Sequence, residues 1–416
     1  MSDSKQAAFP VTLPRQAPRG LSMLMLVFAL VGAIAFYMGL QADPARAWRA
    51  YLVSVIFFTG LSLAGVVWGA ATRLANGRFA RPLLRIMEGL GTFQFVSFFL
   101  IVIFLMFGAR HVYPWIHEVY KPVPWWLTLQ NVTVRDIGAL VVLMGVNLYF
   151  MRNSLKPDVA ALQNKVPANL QGMYKGWARG FGSSDVELER HRKLMMRTAP
   201  AVIMLYGVVW TLIAFDLIMS LDMEFSSSMF GGIVFMGSFL GAIACTAIIS
   251  TFVRSHWKLE EVITPVTLHD LGKLTFALSV FWAYVNWSQF LPIWYAKYSD
   301  EQHWMHIRMN DTWRPWTFAA IILTWAIPFF LMMTLAAKRN PATLRMFAIV
   351  VLVGLWVERF VTVVPSLSPN AVPFGITEVA TALGFFGLFS MCYLWYLNTF
   401  PVLPVADPYQ APGTTH

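Results

Sequence analysis

About ten apolar stretches, each long enough to cross a lipid bilayer, dominate this chain of 416 residues. A membrane-spanning helix needs about 20 mostly apolar residues. Hydrophobic residues make up 57% of the chain and charged residues only 12%, which is more apolar surface than a soluble domain buries. The pattern predicts an all-α integral membrane protein with transmembrane helices at about 20–41, 50–71, 89–109, 132–151, 199–221, 230–252, 270–296, 315–336, 343–365 and 374–397.

The distribution of Lys and Arg predicts the orientation of these spans. If the N-terminus is cytoplasmic, 22 of the 31 basic residues lie on the cytoplasmic side, 8 lie outside, and Arg359 lies within a span. Cytoplasmic loops carry the excess of Lys and Arg in membrane proteins. The count therefore predicts that both termini are cytoplasmic. It also indicates that the net charge of +10 reflects topology and anionic lipid rather than a nucleic-acid surface.

This topology divides the chain into two tails and one membrane domain. The predicted parts are a cytoplasmic N-terminal tail 1–19, a transmembrane domain 20–397 containing a cytoplasmic loop 152–198, and a cytoplasmic C-terminal tail 398–416. The N-terminal tail, and the C-terminal tail from Pro401, are expected to be poorly ordered. Residues 187–197 are predicted to form a charged helix that leads into the fifth span.

The positions of His and Cys in the sequence exclude several kinds of redox centre in this chain. None of the eight His lies in the middle of a predicted span, so the chain lacks the axial pairs that a membrane cytochrome b needs. Cys245 and Cys392 lie alone in separate spans and cannot ligate an iron–sulfur cluster or attach a haem. We therefore expect no metal site and no covalently bound cofactor. Any haem or iron–sulfur centre would belong to partner subunits.

Ionisable side chains near the outer ends of the spans form one set of candidate site residues. A charge at membrane depth costs roughly 2.5–3.5 kcal/mol on insertion scales, so each such residue suggests a functional site. The set could form a protonatable path or hold a polar head group, and the alternative is structural ion pairs. Because Glu358 and Arg359 are adjacent, they point to different helix faces. The candidates are Asp216, Asp222, Glu224, Glu358, Arg359 and Glu378.

A second set of candidates lies along the seventh predicted span. His269, Asp270 and Lys273 open this span on the inner side. At 100° per residue, Tyr284, Ser288 and Tyr295 continue the face that carries His269 and Lys273. An apolar gap of about 16 Å separates Lys273 from Tyr284. The stripe is either a proton path completed by water or aromatic packing with a few satisfied hydroxyls.

Several motifs in the fifth to seventh spans resemble one family of membrane subunits. They are residues 214–216 (AFD), 220–222 (SLD), 231–232 (GG), 269–273 (HDLGK), 281–284 (FWAY), 287–290 (WSQF) and 293–296 (IWYA). The chain resembles, over essentially its whole hydrophobic body, the second quinol-oxidoreductase-type membrane subunit of bacterial alternative complex III. That subunit belongs to the polysulfide-reductase membrane-subunit (NrfD-like) superfamily. The family pattern has Pro-His-Trp after Asp222, whereas Met223, Glu224 and Phe225 follow it here, so any role of that His is either lost or taken by Glu224.

The resemblance implies an architecture, partners and ligands. It implies ten helices, arranged as two four-helix bundles flanked by the first and last helices, in the bacterial inner membrane. It implies an iron–sulfur subunit, multihaem and monohaem cytochrome c subunits, a paralogous quinol-binding membrane subunit, small membrane subunits and a terminal oxidase as partners. Menaquinone or ubiquinone would be the ligand. By the motifs, Asp216 and Asp222 would belong to an outer half-channel, and His269, Asp270 and Lys273 to an inner one.

These arguments predict a subunit of a quinol:cytochrome c or oxidase-linked oxidoreductase that contributes proton transfer, quinone binding or both. Quinol oxidation releases protons and electrons. The electrons need centres that this chain lacks, whereas protons need only carboxylates, hydroxyls, imidazole and water. One alternative is a quinol-oxidising NrfD-like anchor of a molybdopterin oxidoreductase. The other is a secondary transporter, which is disfavoured because Pro328 breaks a span without a counterpart in the first half.

Overall fold

The structure, a computed structural model, describes residues 13–117, 125–182, 185–297 and 299–406. Every regular element within these ranges is a helix, which confirms the all-α prediction. The twelve main helices are α1 (Arg19–Ala42), α2 (Pro44–Leu74), α3 (Phe79–Val112), α4 (Leu129–Leu162), α5 (Ala168–Ala178), α6 (Asp185–Leu217), α7 (Phe230–His256), α8 (Pro265–Ala296), α9 (Ser299–Met309), α10 (Arg314–Leu331), α11 (Pro341–Val363) and α12 (Ile376–Thr399).

Nine helices of the described ranges are long and apolar enough to cross a membrane, namely α1, α2, α3, α4, α6, α7, α10, α11 and α12. The predicted seventh span corresponds to α8, which is not one of the nine. With 32 residues, α8 is about 48 Å long and exceeds the thickness of a bilayer core. It packs lengthwise against α7 and α11. The chain is therefore an all-α protein of the multi-span membrane class.

The long helices pack as two neighbouring groups of four. In the first bundle α2 contacts α3 and α6, and α4 packs against α6. In the second bundle α7 contacts α8 and α11, while α10 packs on α11. Helix α2 also packs against α7 and joins the bundles, whereas α1 and α12 pair with each other beside α2. This arrangement agrees with the expected pair of bundles flanked by the first and last helices.

Two glycines allow α1 and α12 to approach closely. A Cβ atom added to Gly384 would lie 2.7 Å from the Cα of Gly32, and one added to Gly32 would lie 2.2 Å from the Cα of Gly384. Small residues permit such backbone contact between helices in membranes, where van der Waals packing drives association. The contact therefore fixes α1, whose other faces are largely exposed.

Replacing Gly384 with leucine should separate α1 from α12. Overpacking of this kind typically costs about 1–3 kcal/mol, here because backbone rather than a movable side chain blocks the new atoms. Thermal unfolding in mild detergent should show a lower midpoint. Gly207→Leu is the matched control, since nothing lies within 4 Å of a Cβ at Gly207. Equal midpoints for the two variants would contradict the packing argument.

The segments that follow α4 and α12 contain more regular or buried structure than the sequence predicted. Helix α4 continues to Leu162, well into the predicted loop 152–198, and α6 already begins at Asp185. The expected charged helix at 187–197 is therefore confirmed as the first turns of α6. The prediction of disorder from Pro401 is wrong for the segment up to residue 406, because Val402 and Leu403 are buried.

Candidate functional site

One face of α4 carries polar side chains at three depths of the first bundle. Asp136, Asn147, Ser154 and Asp158 are all buried. At 100° per residue, the last three lie within about 40° of Asp136 around the helix axis. They extend along about 33 Å of helix, close to the thickness of a bilayer core. We call these four residues and their partners the polar column.

The outer layer of the polar column contains two carboxyls and one guanidinium. Asp216 of α6 accepts a hydrogen bond from Arg135 Nε at 2.8 Å and one from Trp126 Nε1 at 3.2 Å. The Arg135 guanidinium also stacks on the Trp126 ring, 3.8 Å from its centre. The carboxyl of Asp136 lies beside that of Asp216, and no described residue donates a hydrogen bond to the Asp136 carboxyl.

The charges of this layer balance only if one carboxyl carries a proton. Two carboxylates beside a single guanidinium would leave an uncompensated negative charge in a buried place, which is strongly unfavourable. A proton on Asp136 removes that charge and supplies the donor for a carboxyl–carboxylate hydrogen bond to Asp216. The pair can therefore hold and release one proton at this end of the bundle.

The middle layer is polar but uncharged. Asn147 Nδ2 donates to Gln94 Oε1 at 3.1 Å, and Gln94 Nε2 points to the Met151 sulfur at 3.7 Å. No described residue donates a hydrogen bond to the Asn147 carbonyl oxygen. Leu140 and Leu143 occupy the same face of α4 between Asp136 and Asn147, a separation of about 16 Å. An apolar section therefore divides the outer layer from the other two.

The inner layer is an ion network centred on Arg85. Arg85 Nε donates to Asp158 Oδ2 at 2.7 Å, and its Nη1 donates to Ser154 Oγ at 2.7 Å and to Glu88. Arg73 also contacts Glu88, at 3.5 Å, and donates to Ser154 Oγ at 2.6 Å. Two acids and two bases are thus held together, with Arg85, Glu88 and Asp158 nearly or fully buried.

His191 lies between this network and the surface. A cavity of about 30 Å³, room for one or two water molecules, borders Arg85, Ser154, Asp158 and His191. On its other side His191 borders a groove of about 1030 Å³ between α4 and α6, which we call the α4–α6 groove. The His191 Nδ1 atom is buried and has no hydrogen-bond partner in the described ranges. A protonatable ring therefore separates the groove from the inner layer.

A separate cavity of about 630 Å³ lies in the second bundle between α8, α9, α10 and α11. Its volume falls within the range of small-molecule sites, about 300–1000 Å³. Eight of its 22 lining residues are aromatic, among them Trp282, Trp287, Phe290, Trp304 and Trp325. Such walls suit a flat or hydrocarbon-rich ligand.

The polar groups of this cavity are concentrated around Glu358 and Arg308. Glu358 accepts a hydrogen bond from Thr362 at 3.2 Å and pairs with Arg359 at 3.3 Å. Arg308 donates to the Thr362 carbonyl at 2.7 Å. Burial lowers the pKa of the Arg308 guanidinium, and the charge of Asp222 acts in the opposite direction. The cavity thus offers an acid and a base at one apolar site.

The acids predicted as one outer set belong to separate places in the fold. Asp216 pairs with Arg135, Glu358 with Arg359, and Glu378 with Arg46 through two hydrogen bonds of 2.7 and 2.8 Å. Three of the five acids therefore form separate ion pairs with arginine, which is the structural alternative that the sequence left open. Of the remaining candidates, Asp222 accepts a hydrogen bond from the Glu224 backbone at 3.3 Å, and Glu224 is exposed.

The two tyrosines of the predicted stripe on the seventh span are largely exposed. Tyr284 is 62% exposed and Tyr295 82% exposed, and Ser288 is half-buried. At the inner end, Asp270 pairs with Lys273 at 2.8 Å and lies 3.7 Å from His269. These residues do share one face, as predicted. Tyr284 borders the second-bundle cavity, whereas Tyr295 faces the exterior, so the stripe is not one continuous buried path.

Sequence reasoning missed most of the buried network. The charge distribution treats Arg85, Arg135 and Arg308 only as basic residues that set the topology. A signal was present in the sequence of α4, where positions 136, 147, 154 and 158 are separated by nearly whole helical turns. Nothing in the sequence alone indicates that these arginines turn inward to meet the acids.

Comparison with known proteins adds no family assignment. No protein-family model matches this chain, and no curated protein matches it significantly. The class of multi-span, all-α membrane proteins therefore rests on its helices and their packing.

Proposed function

We propose that this chain is a proton-carrying membrane subunit of a bacterial quinol-oxidising respiratory complex of the alternative complex III type. The supporting observation is the outer layer of the polar column, where Asp136 and Asp216 share one arginine. Such a pair holds a proton at membrane depth without a metal. Carboxyl, hydroxyl and amide groups continue the polar column inward to Ser154 and Glu88.

His191 is the proposed entry point from the inner side. A proton taken up from the α4–α6 groove by the imidazole can pass through the small cavity to Ser154 and the carboxylates of the inner layer. The apolar section at Leu140 and Leu143 then requires water or a side-chain movement before the proton reaches Asp136. Because the apolar section separates the two polar segments, protons do not cross the membrane through this subunit at rest.

The quinol-oxidising assignment rests on the resemblance of the 214–232 and 269–296 motifs. The proposed partners are those that the resemblance implies: an iron–sulfur subunit, multihaem and monohaem cytochromes c, a paralogous quinol-binding membrane subunit, small membrane subunits and a terminal oxidase. Haem and iron–sulfur centres would be held by those partners. A bacterial inner membrane with both termini cytoplasmic completes the proposal.

Purification through a tag on this chain tests membership of such a complex. The membranes would be solubilised in mild detergent, and the product analysed by reduced-minus-oxidised spectroscopy and by mass spectrometry of co-purifying proteins. We expect a c-type haem spectrum, an iron–sulfur subunit and a second ten-helix subunit. A molybdopterin protein instead of the cytochromes would favour the NrfD-like anchor. A colourless product without redox partners would refute the proposal and favour a transporter.

The second-bundle cavity supports a second candidate function, the binding of a quinone head group in this subunit. Its aromatic walls fit a ring and the start of an isoprenoid tail, and Glu358 offers a carboxylate oxygen to a quinol hydroxyl. Arg308 lines the same cavity and offers a cationic group to a quinone oxygen. Menaquinone and ubiquinone both satisfy this description.

Filling the cavity should prevent quinone binding. Ala320 is buried and lines the cavity, so Ala320→Phe places a ring where the ligand would lie. We expect at least about tenfold weaker binding of a short-chain quinone, equivalent to about 1.4 kcal/mol, measured by quenching of tryptophan fluorescence in the purified protein. Ala319→Phe is the control, since Ala319 does not line the cavity. Equal affinities in both variants would exclude the cavity as the quinone site.

A further inference from the structure

The α4–α6 groove is a basic concavity. Four basic side chains line it, Lys156, Arg190, Lys193 and Arg197, against the two acids Glu187 and Glu189. It lies at the end of the first bundle that the charge distribution assigns to the cytoplasm. Its lining therefore carries an excess of positive charge next to the membrane.

The two acids are already paired, which leaves two cations free. Glu189 pairs with Arg192 at 2.6 Å and with Lys193 at 3.9 Å, and Glu187 lies 3.9 Å from Arg190. No described carboxylate pairs with Lys156 or Arg197. These two side chains are on α4 and α6 respectively, so they face the groove from opposite walls.

The free cations lie at the depth of lipid head groups. Lys156 is about 7 Å beyond the predicted inner end of the fourth span, and Arg197 is about 3 Å before the fifth span begins. The head-group layer of a bilayer is about 5–7 Å thick on each side. Tyr149, which also lines the groove, is 48% exposed and lies within the predicted hydrocarbon zone.

We propose that the α4–α6 groove binds the head group of an anionic phospholipid. In this arrangement Lys156 and Arg197 contact the phosphate from the two walls, and the acyl chains run outward past Tyr149. Basic pockets between transmembrane helices on the cytoplasmic side are suited to such head groups. The lipid is a structural ligand that ties α4 to α6, the two helices that carry the polar column. The inference does not depend on quinol oxidation.

Native mass spectrometry of the purified, delipidated protein can test this site. Phosphatidylglycerol, phosphatidylcholine and inorganic phosphate would be added separately, and the bound fraction measured against concentration. The test variant is Lys156→Gln with Arg197→Gln. The control, Lys165→Gln with Lys175→Gln, removes the same charge from exposed positions of the same loop that do not line the groove.

We expect wild-type protein to prefer phosphatidylglycerol over phosphatidylcholine. Each basic residue near a membrane surface contributes about 1 kcal/mol, so the test variant should bind phosphatidylglycerol about thirty-fold more weakly. The control should bind like the wild type. Equal binding of both lipids by the wild type, or equal losses in the two variants, would overturn the proposal. Competition by millimolar inorganic phosphate would also overturn it, since the groove would then be a free-phosphate site.

Discussion

Replacing Arg85 with alanine is expected to prevent stable folding of the first bundle. The substitution leaves Glu88 and Asp158 buried without their shared cation. Removing one partner of a buried ion pair typically costs about 3–5 kcal/mol, because the other charge stays buried and uncompensated. That cost is a large part of the roughly 5–15 kcal/mol by which folded proteins are stable. The variant should therefore accumulate poorly in membranes.

The thermal unfolding midpoint in detergent measures this effect. Arg314→Ala is the matched control, because Arg314 pairs with Asp311 at a site where both side chains are exposed. Such a surface pair contributes about 0–1 kcal/mol. A triple variant with Glu88→Gln and Asp158→Asn added to Arg85→Ala should recover part of the loss, since the stranded charges are gone. A midpoint for Arg85→Ala as high as that of the control would show that the network is not structurally important.

Asp136→Asn and Asp216→Asn are the same chemical change in the outer layer, but we expect them to affect stability and proton transfer differently. Asp136→Asn replaces a protonated carboxyl by an amide of the same shape, so stability should change little while proton transfer is lost. Asp216→Asn removes the carboxylate that pairs with Arg135, which should cost about 3 kcal/mol or more. The contrast follows from the assignment of the proton to Asp136 and of the charge to Asp216.

Thermal unfolding and quinol turnover of the purified complex measure the two effects separately. Asp136→Asn should keep a midpoint near that of the wild type and lose at least about a hundredfold in turnover, since a positioned proton carrier typically contributes 10²–10⁴-fold. Asp216→Asn should lower the midpoint. If Asp136→Asn were less stable than Asp216→Asn, the negative charge would belong to Asp136 and the proton to Asp216. Conversely, unchanged quinol turnover in Asp136→Asn would show that Asp136 does not lie on the proton path.

The architecture was predictable because apolar length alone determines which segments can span a bilayer. Ten long helices occur close to the predicted ranges, including α8, whose polar residues place it outside the nine most apolar helices. Helix ends were less predictable. Helix α4 passes its expected end because Ser154 and Asp158 are buried by Arg85 and by the backbone of residues 405–406.

The site was predicted only in part. Helical periodicity shows which residues share a face of one helix, but it does not show which neighbouring helix packs against that face. Tyr284 and Tyr295 do share a face of α8, yet that face is exposed. Asp216 was identified as a buried acid, whereas its partners Arg135 and Asp136 come from another helix and depend on how α4 packs against α6. Such pairings are tertiary, so a hydropathy pattern cannot reveal them.

Proton release by the reconstituted complex tests the central claim most directly. Proteoliposomes containing wild-type or Asp136→Asn complex would be supplied with quinol and an electron acceptor, and the pH on each side of the membrane followed with time. The account predicts proton uptake from the inner side by the wild type and its loss in the variant, with the complex still fully assembled. Identical proton movements in the two preparations would contradict a proton path through the polar column.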